Sequence, residues 1–311
     1  MMKAIVTGGA GFIGSNIALA LEEQGARVFL VDDFSSGDFR NLKNFHGEVI
    51  AQDVNEIGWE KLEIPDVIFH EAALTDTTVT DQKRMMFNNV EGFRKVLRFA
   101  VEHRVRLIYA SSAGVYGNEP APQKENGRLS PLNIYAYSKF IGDQMAQAAV
   151  RESKVPIVGL RYFNVYGLGE QHKGTAASMI CRLAEQIRSG KRPRIFYDGE
   201  QTRDHIYVRD VVNANLKALE AKGSAVVNVA SGKSTSFNRL IEVLNEVLGT
   251  RLEPDYFDNP YSFYQNCTQA DISLARKILG FEARISIEEG IKEYLPSLYS
   301  LPLRNVVAAK R

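Results

Sequence analysis

Apolar positions along the chain fall into two alternating rhythms. Short, nearly continuous apolar runs at 3–7, 27–32, 48–52, 67–70, 107–111, 157–161 and 225–229 have the length and composition of buried strands. Residues 13–24, 85–102 and 135–151 instead place apolar side chains at helical spacing. Strands alternating with helices in this order predict an α/β fold built on a doubly wound parallel sheet. Beyond residue 161 the rhythm breaks into a polar loop (164–174), a helix (176–189), a basic turn (190–194) and a short strand (195–197). Amphipathic helices follow at 240–248 and 287–298, separated by a Pro- and aromatic-rich loop around 254–264. No internal repeat, low-complexity tract or linker interrupts the chain.

The first strand runs directly into Gly8, Gly9, Gly11 and Gly14, and a helix begins among them. In a strand–turn–helix unit, Gly8 permits the tight turn, Gly11 lets backbone approach a pyrophosphate, and Gly14 lets helix pack on strand. The phosphates then sit at the helix N-terminus, beside Phe12 and Ile13. The next strand ends on Asp32, 18 positions after Gly14, close to the ~20 that sets a carboxylate against an adenosine ribose. This is a Rossmann arrangement. With Asp33 beside it, Asp32 favours NAD over NADP, because a carboxylate accepts from the ribose 2′-hydroxyl and repels a 2′-phosphate. Ligands gather beyond the carboxyl ends of such strands, where Asp53, the run His70-Glu71-Ala72-Ala73 and Ser111-Ser112 fall. His70, at a buried strand end, reads as a hydrogen-bonded structural histidine. Residues 1–165, rejoined by 205–235, are expected to form the dinucleotide-binding domain. A smaller, interleaved substrate-binding domain is expected from 166–204 and 236–311.

Composition narrows the partners. The 311 residues carry 38 Lys+Arg against 37 Asp+Glu, a formal charge of +1, which offers no long-range field to nucleic acid or an anionic membrane. Neither is expected as a partner. Cys181 and Cys267 lie far apart without ligand-type residues at metal spacing, so reduced thiols are expected, with no disulfide and no metal. The chain starts straight into a strand pattern, and no apolar run approaches the ~18 residues of a membrane span. A soluble, cytoplasmic protein is the expectation.

Tyr135 and Lys139 are four residues apart on a predicted helix and share one face. A lysine ammonium favours phenolate over phenol and should lower the tyrosine pKa toward the range of a general base. Spacing alone is weak, since Tyr-x-x-x-Lys occurs by chance on many helices. Its context here strengthens it.

With the glycine turn, the Asp32 strand end and Asp53-Val54, the chain carries Tyr109-Ala-Ser-Ser-Ala-Gly-Val-Tyr-Gly117, Arg161-Tyr-Phe-Asn-Val-Tyr-Gly167 and Arg203-Asp-His-Ile-Tyr-Val-Arg-Asp210. Over essentially its full length it resembles the extended short-chain dehydrogenase/reductase superfamily of nucleotide-sugar epimerases and dehydratases. The resemblance implies that Ser112 orients the reacting hydroxyl, Tyr135 exchanges its proton, and Lys139 holds ribose hydroxyls. It implies cofactor contacts at Gly8, Gly11, Phe12, Ile13, Gly14, Asp32, Asp33, Asp53, Val54, Glu71, Ala72, Ala73 and Asn88, as well as at Tyr135 and Lys139. Homo-oligomers are expected.

Within the superfamily the chain is similar to the ADP-heptose 6-epimerases, which supply the heptose precursor of the lipopolysaccharide core. Three stretches carry this: 70–89 with Thr77-Thr78 and Asn88-Asn89, the loop Gly169-Glu-Gln-His-Lys-Gly-Thr-Ala-Ala-Ser178, and Tyr264-Gln-Asn-Cys-Thr-Gln-Ala-Asp271. The resemblance implies that Lys173 is a second acid/base. It also implies that Asn164, Thr175 and Arg182 meet the substrate, and that Arg203 and Tyr264 hold a nucleotide diphosphate. Lys173, desolvated in a closed cleft beside Arg203, should have a lowered pKa. The heptose epimerases use NADP and neutralise its 2′-phosphate with a lysine after the second strand, where this chain has only Arg40. Leu74 stands where a small polar residue is usual, and Arg182 where a histidine is. Three functions remain open: an ADP-heptose 6-epimerase, a UDP-glucose/UDP-galactose 4-epimerase needing no Lys173, and a cofactor-binding regulatory protein without chemistry.

Overall fold

The computed structural model describes residues 1–77, 79–259 and 264–299. Thr78, residues 260–263 of the aromatic-rich loop and residues 300–311 of the expected substrate-binding domain lie outside it. Seven parallel strands form the central sheet: β1 (Lys3–Thr7), β2 (Arg27–Val31), β3 (Glu48–Ile50), β4 (Val67–His70), β5 (Arg106–Ser112), β6 (Ile157–Tyr162) and, after three strands outside it, β10 (Ala225–Val229). Their spatial order is β10-β6-β5-β4-β1-β2-β3. Strand order therefore reverses between β1 and β4, and a crevice opens there at the carboxyl ends.

Helices cover both faces, as a fully buried parallel sheet requires. On one, α1 (Phe12–Glu23), α6 (Val208–Ala218) and α8 (Ser273–Leu279) pack Ile17, Leu21, Val211 and Leu279 against Val6, Leu30 and Phe69. On the other, α3 (Gly92–His103) and α4 (Ile134–Glu152) close Phe93, Val96 and Ala146 over Ile5, Ile68 and Leu107. A further cluster joins α5 (Met179–Arg188), α7 (Phe237–Leu248) and α9 (Ile287–Tyr299) around Tyr166 and Tyr207. Those tyrosines belong to β7 (Asn164–Tyr166) and β9 (Thr202–Tyr207), which with β11 (Ser234–Ser236) form a three-stranded sheet, while β8 (Arg194–Phe196) pairs with β12 (Asp255–Phe257).

The predicted helix at 85–102 is longer and not uniform. A short α2 (Gln82–Met86) passes through a π turn at Phe87–Glu91 before α3 begins. Helix α6, not evident from the apolar pattern, buries Val208, Val211, Val212, Asn215 and Ala218 on one face; its short, partly polar stripe is a faint signal.

Beneath α4 lies a buried ionic network. Arg161 Nε donates to Asp143 at 2.9 Å with side chains only 2% and 1% exposed. Tyr109 donates to the other oxygen of Asp143 at 2.9 Å, and Arg161 also donates to the Tyr116 hydroxyl at 2.9 Å. Asp143 sits one turn beyond Lys139, so this network anchors the helix carrying the Tyr135/Lys139 pair. Asp143→Ala would strand the guanidinium without its counter-charge, and such losses cost about 3–5 kcal/mol. Chemical denaturation should show a drop of that size, whereas unchanged stability would mean that water or Tyr116 replaces the carboxylate.

Candidate active site

A cavity of about 710 Å³ opens at the carboxyl ends of the strands. Every residue expected to hold cofactor lines it: Gly8, Gly11, Phe12, Ile13, Gly14, Asp32, Asp33, Asp53, Val54, Glu71, Ala72, Ala73 and Asn88. Ser112, Tyr135, Lys139, Asn164 and Lys173 line it too. Four expected residues fall elsewhere. Thr175 is exposed on the turn Gln171–Ala176, and Arg182 on the outer face of α5. Arg203 and Tyr264 come together outside the cavity lining, the guanidinium 4.8 Å from the ring centroid. Among the described residues no cluster of His, Cys, Asp or Glu could hold a metal, and no helix is long and apolar enough to cross a membrane.

The glycine turn fits a dinucleotide. Gly8 has φ +65, donates to Val31 O at 2.8 Å, and leaves no room for a Cβ, which would lie 2.6 Å from Ala72 N. A Cβ on Gly14 would meet Gly8 O at 2.2 Å, so helix and strand approach only through glycine. Gly11 is the N-cap of α1 with no side-chain capping bond, so the first-turn N–H groups remain available to an anion. Asp32 braces the cradle, accepting from Ala10 N at 2.9 Å and Phe34 N at 2.8 Å. Its pKa is raised chiefly by burial, against those bonds. Asp33 accepts from Ser35 N at 2.9 Å.

Arg40 is already committed. Its Nε lies 2.9 and 3.0 Å from the two Asp38 oxygens, its Nη2 also binds Asp38, and Asp38 is held down to about 2 chiefly by that hydrogen bonding. Arg40 does not line the cavity. Cofactor-stripped protein should therefore bind NAD at least about tenfold more tightly than NADP, a difference of ~1.4 kcal/mol. Titration with both dinucleotides decides it, and a preference for NADP would mean that Arg40 leaves Asp38 for a 2′-phosphate.

Helix α4 starts at Asn133, whose side chain caps Ala136 N at 2.8 Å; this fixes the first turn, where Tyr135 lies. Ser112, at the end of β5, lines the cavity together with Tyr135 and lies near enough for its hydroxyl to favour the phenolate. The expected lowering of the Tyr135 pKa is not what this arrangement gives. The low polarity around the phenol raises it, Ser112 opposes, and Glu71 adds to the rise. Lys139 is not among the groups that lower it: its ammonium donates to Ala110 O at 2.9 Å, and burial holds its own pKa down at about 8. Glu71, accepting from the Tyr162 hydroxyl at 3.0 Å, is pushed up to about 8 chiefly by burial. His70 is structural: Nδ1 lies 2.8 Å from Thr7 Oγ1, and burial lowers its pKa to about 3.

Lys173 reaches the cavity from the turn Gln171–Ala176, its ammonium 5.8 Å from the centroid of the Phe12 ring. Its pKa is lowered, as expected, but by burial; Glu170 opposes, and Arg203 takes no part. Glu170 in turn fixes the base of the turn, accepting from Gly167 N at 2.8 Å and Ser178 N at 2.6 Å. Asn164 Nδ2 donates to Asp204 O and Thr268 Oγ1, both at 3.1 Å.

One member of the Asn88-Asn89 pair gains a role only here. Asn89, in the π turn, accepts from Leu74 N at 2.8 Å and donates to Leu74 O and Ser138 Oγ, each at 3.0 Å. It clamps the segment after β4 to α4, between Tyr135 and Lys139. The only sequence signal is an adjacent Asn-Asn inside a helical pattern.

The model of the NAD dependent epimerase/dehydratase family matches residues 4–230. The chain is also similar to the ADP-L-glycero-D-manno-heptose-6-epimerase of Helicobacter pylori, at 40% identity over 96% of this chain and 97% of that one, with a TM-score of 0.91. It is similar to the UDP-N-acetylglucosamine 4-epimerase of Methanobrevibacter ruminantium, solved with UDP-N-acetylmuramic acid (32% identity, 96% and 98% covered, TM-score 0.92). A third is the UDP-glucose 4-epimerase of Thermotoga maritima, solved with UDP-glucose (32%, 96% and 99%, TM-score 0.90). The glycine cradle, the Ser112/Tyr135 pair and these matches over the whole sheet agree: the chain belongs to the NAD dependent epimerase/dehydratase family, as an enzyme of the nucleotide-sugar epimerase type.

Proposed function

We propose that the protein is a redox-neutral 6-epimerase of an ADP-glycero-manno-heptose, a lipopolysaccharide-core precursor, working with NAD. The observation that carries this reading is that one cavity holds two proton-handling groups from separate elements, Tyr135 on α4 beside Ser112, and Lys173 on the turn Gln171–Ala176. The glycine cradle and Asp32 would hold the dinucleotide, whose nicotinamide would supply the reversible hydride acceptor for the carbinol carbon. Tyr135, in its phenolate form, takes the proton from the substrate hydroxyl and as phenol returns one in the reverse direction, while Ser112 orients that oxygen by hydrogen bonding. In a heptose C6 lies outside the ring, so rotation about C5–C6 exposes the other face of the ketone while the nucleotide stays anchored. The oxygen then faces another wall, where Lys173 supplies the proton. Arg203, stacked on Tyr264, offers a charge-assisted fork to the diphosphate, with 166–204 and 236–299 serving as the substrate-binding part.

Separate incubation of the protein with ADP-heptose and with UDP-galactose, followed by NMR, tests the reading. Epimer formation from ADP-heptose alone is expected. Turnover of UDP-galactose alone would favour a 4-epimerase, in which one tyrosine serves both half-reactions.

A further inference from the structure

The turn carrying Lys173 is docked on the glycine cradle by two amide side chains. From α1, Asn16 Nδ2 donates to Phe12 O at 2.8 Å and to Leu168 O at 2.9 Å. From the segment after β2, Asn41 Nδ2 donates to Ala10 O at 3.0 Å and Gly169 O at 3.2 Å, and lies 3.2 Å from His172 Nδ1. The two Asn41 N–H groups are matched by the two carbonyls, with the His172 ring packed beside them. Burial lowers the His172 pKa, against Asp38 and the backbone carbonyls of Gly169 and Ser36. Gly169, with φ +97, fits closely between the two amides: a Cβ there would lie 3.3 Å from Asn16 Nδ2 and 3.5 Å from Asn41 Oδ1.

The turn needs such support. Lys173 N donates to Glu170 O at 2.9 Å, but the next residue, Gly174, departs from helical geometry at φ 57, ψ −119, so regular helical bonding stops at the Lys173 stem. Glu170 holds the turn to the start of α5, and Asn16 and Asn41 hold it to the cofactor side. Asn41 alone touches three parts at once: the glycine loop at Ala10, the Lys173 turn at Gly169, and, through its own backbone, the capped turn Phe39–Leu42 beside the Asp32/Asp33 strand end.

We propose that Asn41 is a positioning residue for Lys173, setting the second acid/base in register with the cofactor cradle by tying Gly169 to Ala10. This rests on the reading of Lys173 as an acid/base. Asn41 does not line the cavity and is not itself catalytic. Without its donors the turn shifts, and a displacement of about 1 Å can cost up to ~10² in rate.

The test uses full-length protein saturated with NAD and each ADP-heptose epimer in turn. Asn41→Ala removes the amide, and Asn41→Asp keeps its shape without the Nδ2 donor. Both should lower kcat by about 10- to 100-fold with KM changed less than about threefold, the signature of a misplaced group rather than lost binding. In the first half-reaction, followed by the absorbance of reduced nicotinamide, oxidation of one epimer should slow while the other keeps the parent rate. Lys173→Met should show the same asymmetry, and the double variant little further loss. A parent-like kcat in either folded variant, equal slowing of both epimers, or a defect removed by raising NAD would overturn the assignment. If the parent oxidises neither epimer, the Lys173 reading falls and takes this one with it; parent activity with symmetric Asn41 variants overturns only this inference.

Discussion

Tyr135→Phe is expected to lower epimerisation by about 10²- to 10⁴-fold, the range for losing a positioned acid/base. The ring stays in place, because α4 is held by the Asn133 cap and by Asp143 beneath it, and only a hydroxyl leaves. Nucleotide-sugar binding should be nearly intact in calorimetry, with the loss falling on kcat. The raised pKa reduces the phenolate fraction that acts as base, and the same oxygen as phenol is the proton donor in the reverse direction, so losing it removes both roles. Turnover near the parent rate would remove Tyr135 from the mechanism.

Lys173→Met should reduce ADP-heptose epimerisation by at least about 10², again the scale of a lost proton donor. Methionine keeps most of the stem length over Phe12 and removes the charge, so the turn held by Glu170 has no reason to rearrange. Burial lowers the lysine pKa in the parent, which brings proton exchange closer to neutral pH. Steady-state kinetics separates the outcomes. A raised KM with kcat unchanged would make Lys173 a binding contact and favour a 4-epimerase.

Much of this was legible in the chain itself. The sheet strands at 3–7, 67–70 and 225–229 coincide with the predicted runs, because a strand buried on both faces must be apolar throughout. The cofactor-side residues were legible for a related reason: glycine spacing and strand ends fix backbone positions, and the cradle is made largely of backbone. Side-chain competition was not legible. Spacing put Tyr135 and Lys139 on one face, but could not reveal that the Ala110 carbonyl takes the ammonium and that burial outweighs charge at the phenol. Nor does a sequence pattern say how far a loop residue reaches: Lys173 and Thr175 are two apart on one turn, yet only Lys173 lines the cavity.

The π turn at Phe87–Glu91 carries one residue more than an α-helical turn would need. Deleting a single residue from it would let the chain run on as plain α-helix, with shorter, better hydrogen bonds. Because a π turn absorbs its surplus residue within one turn, α2 and α3 would keep their relative phase, and the change would fall on the side chains of the turn itself. Asn89 could no longer meet both Leu74 and Ser138. A gain in local helix quality would thus be a loss of frame for the site, so this segment tolerates substitution better than any change in its length.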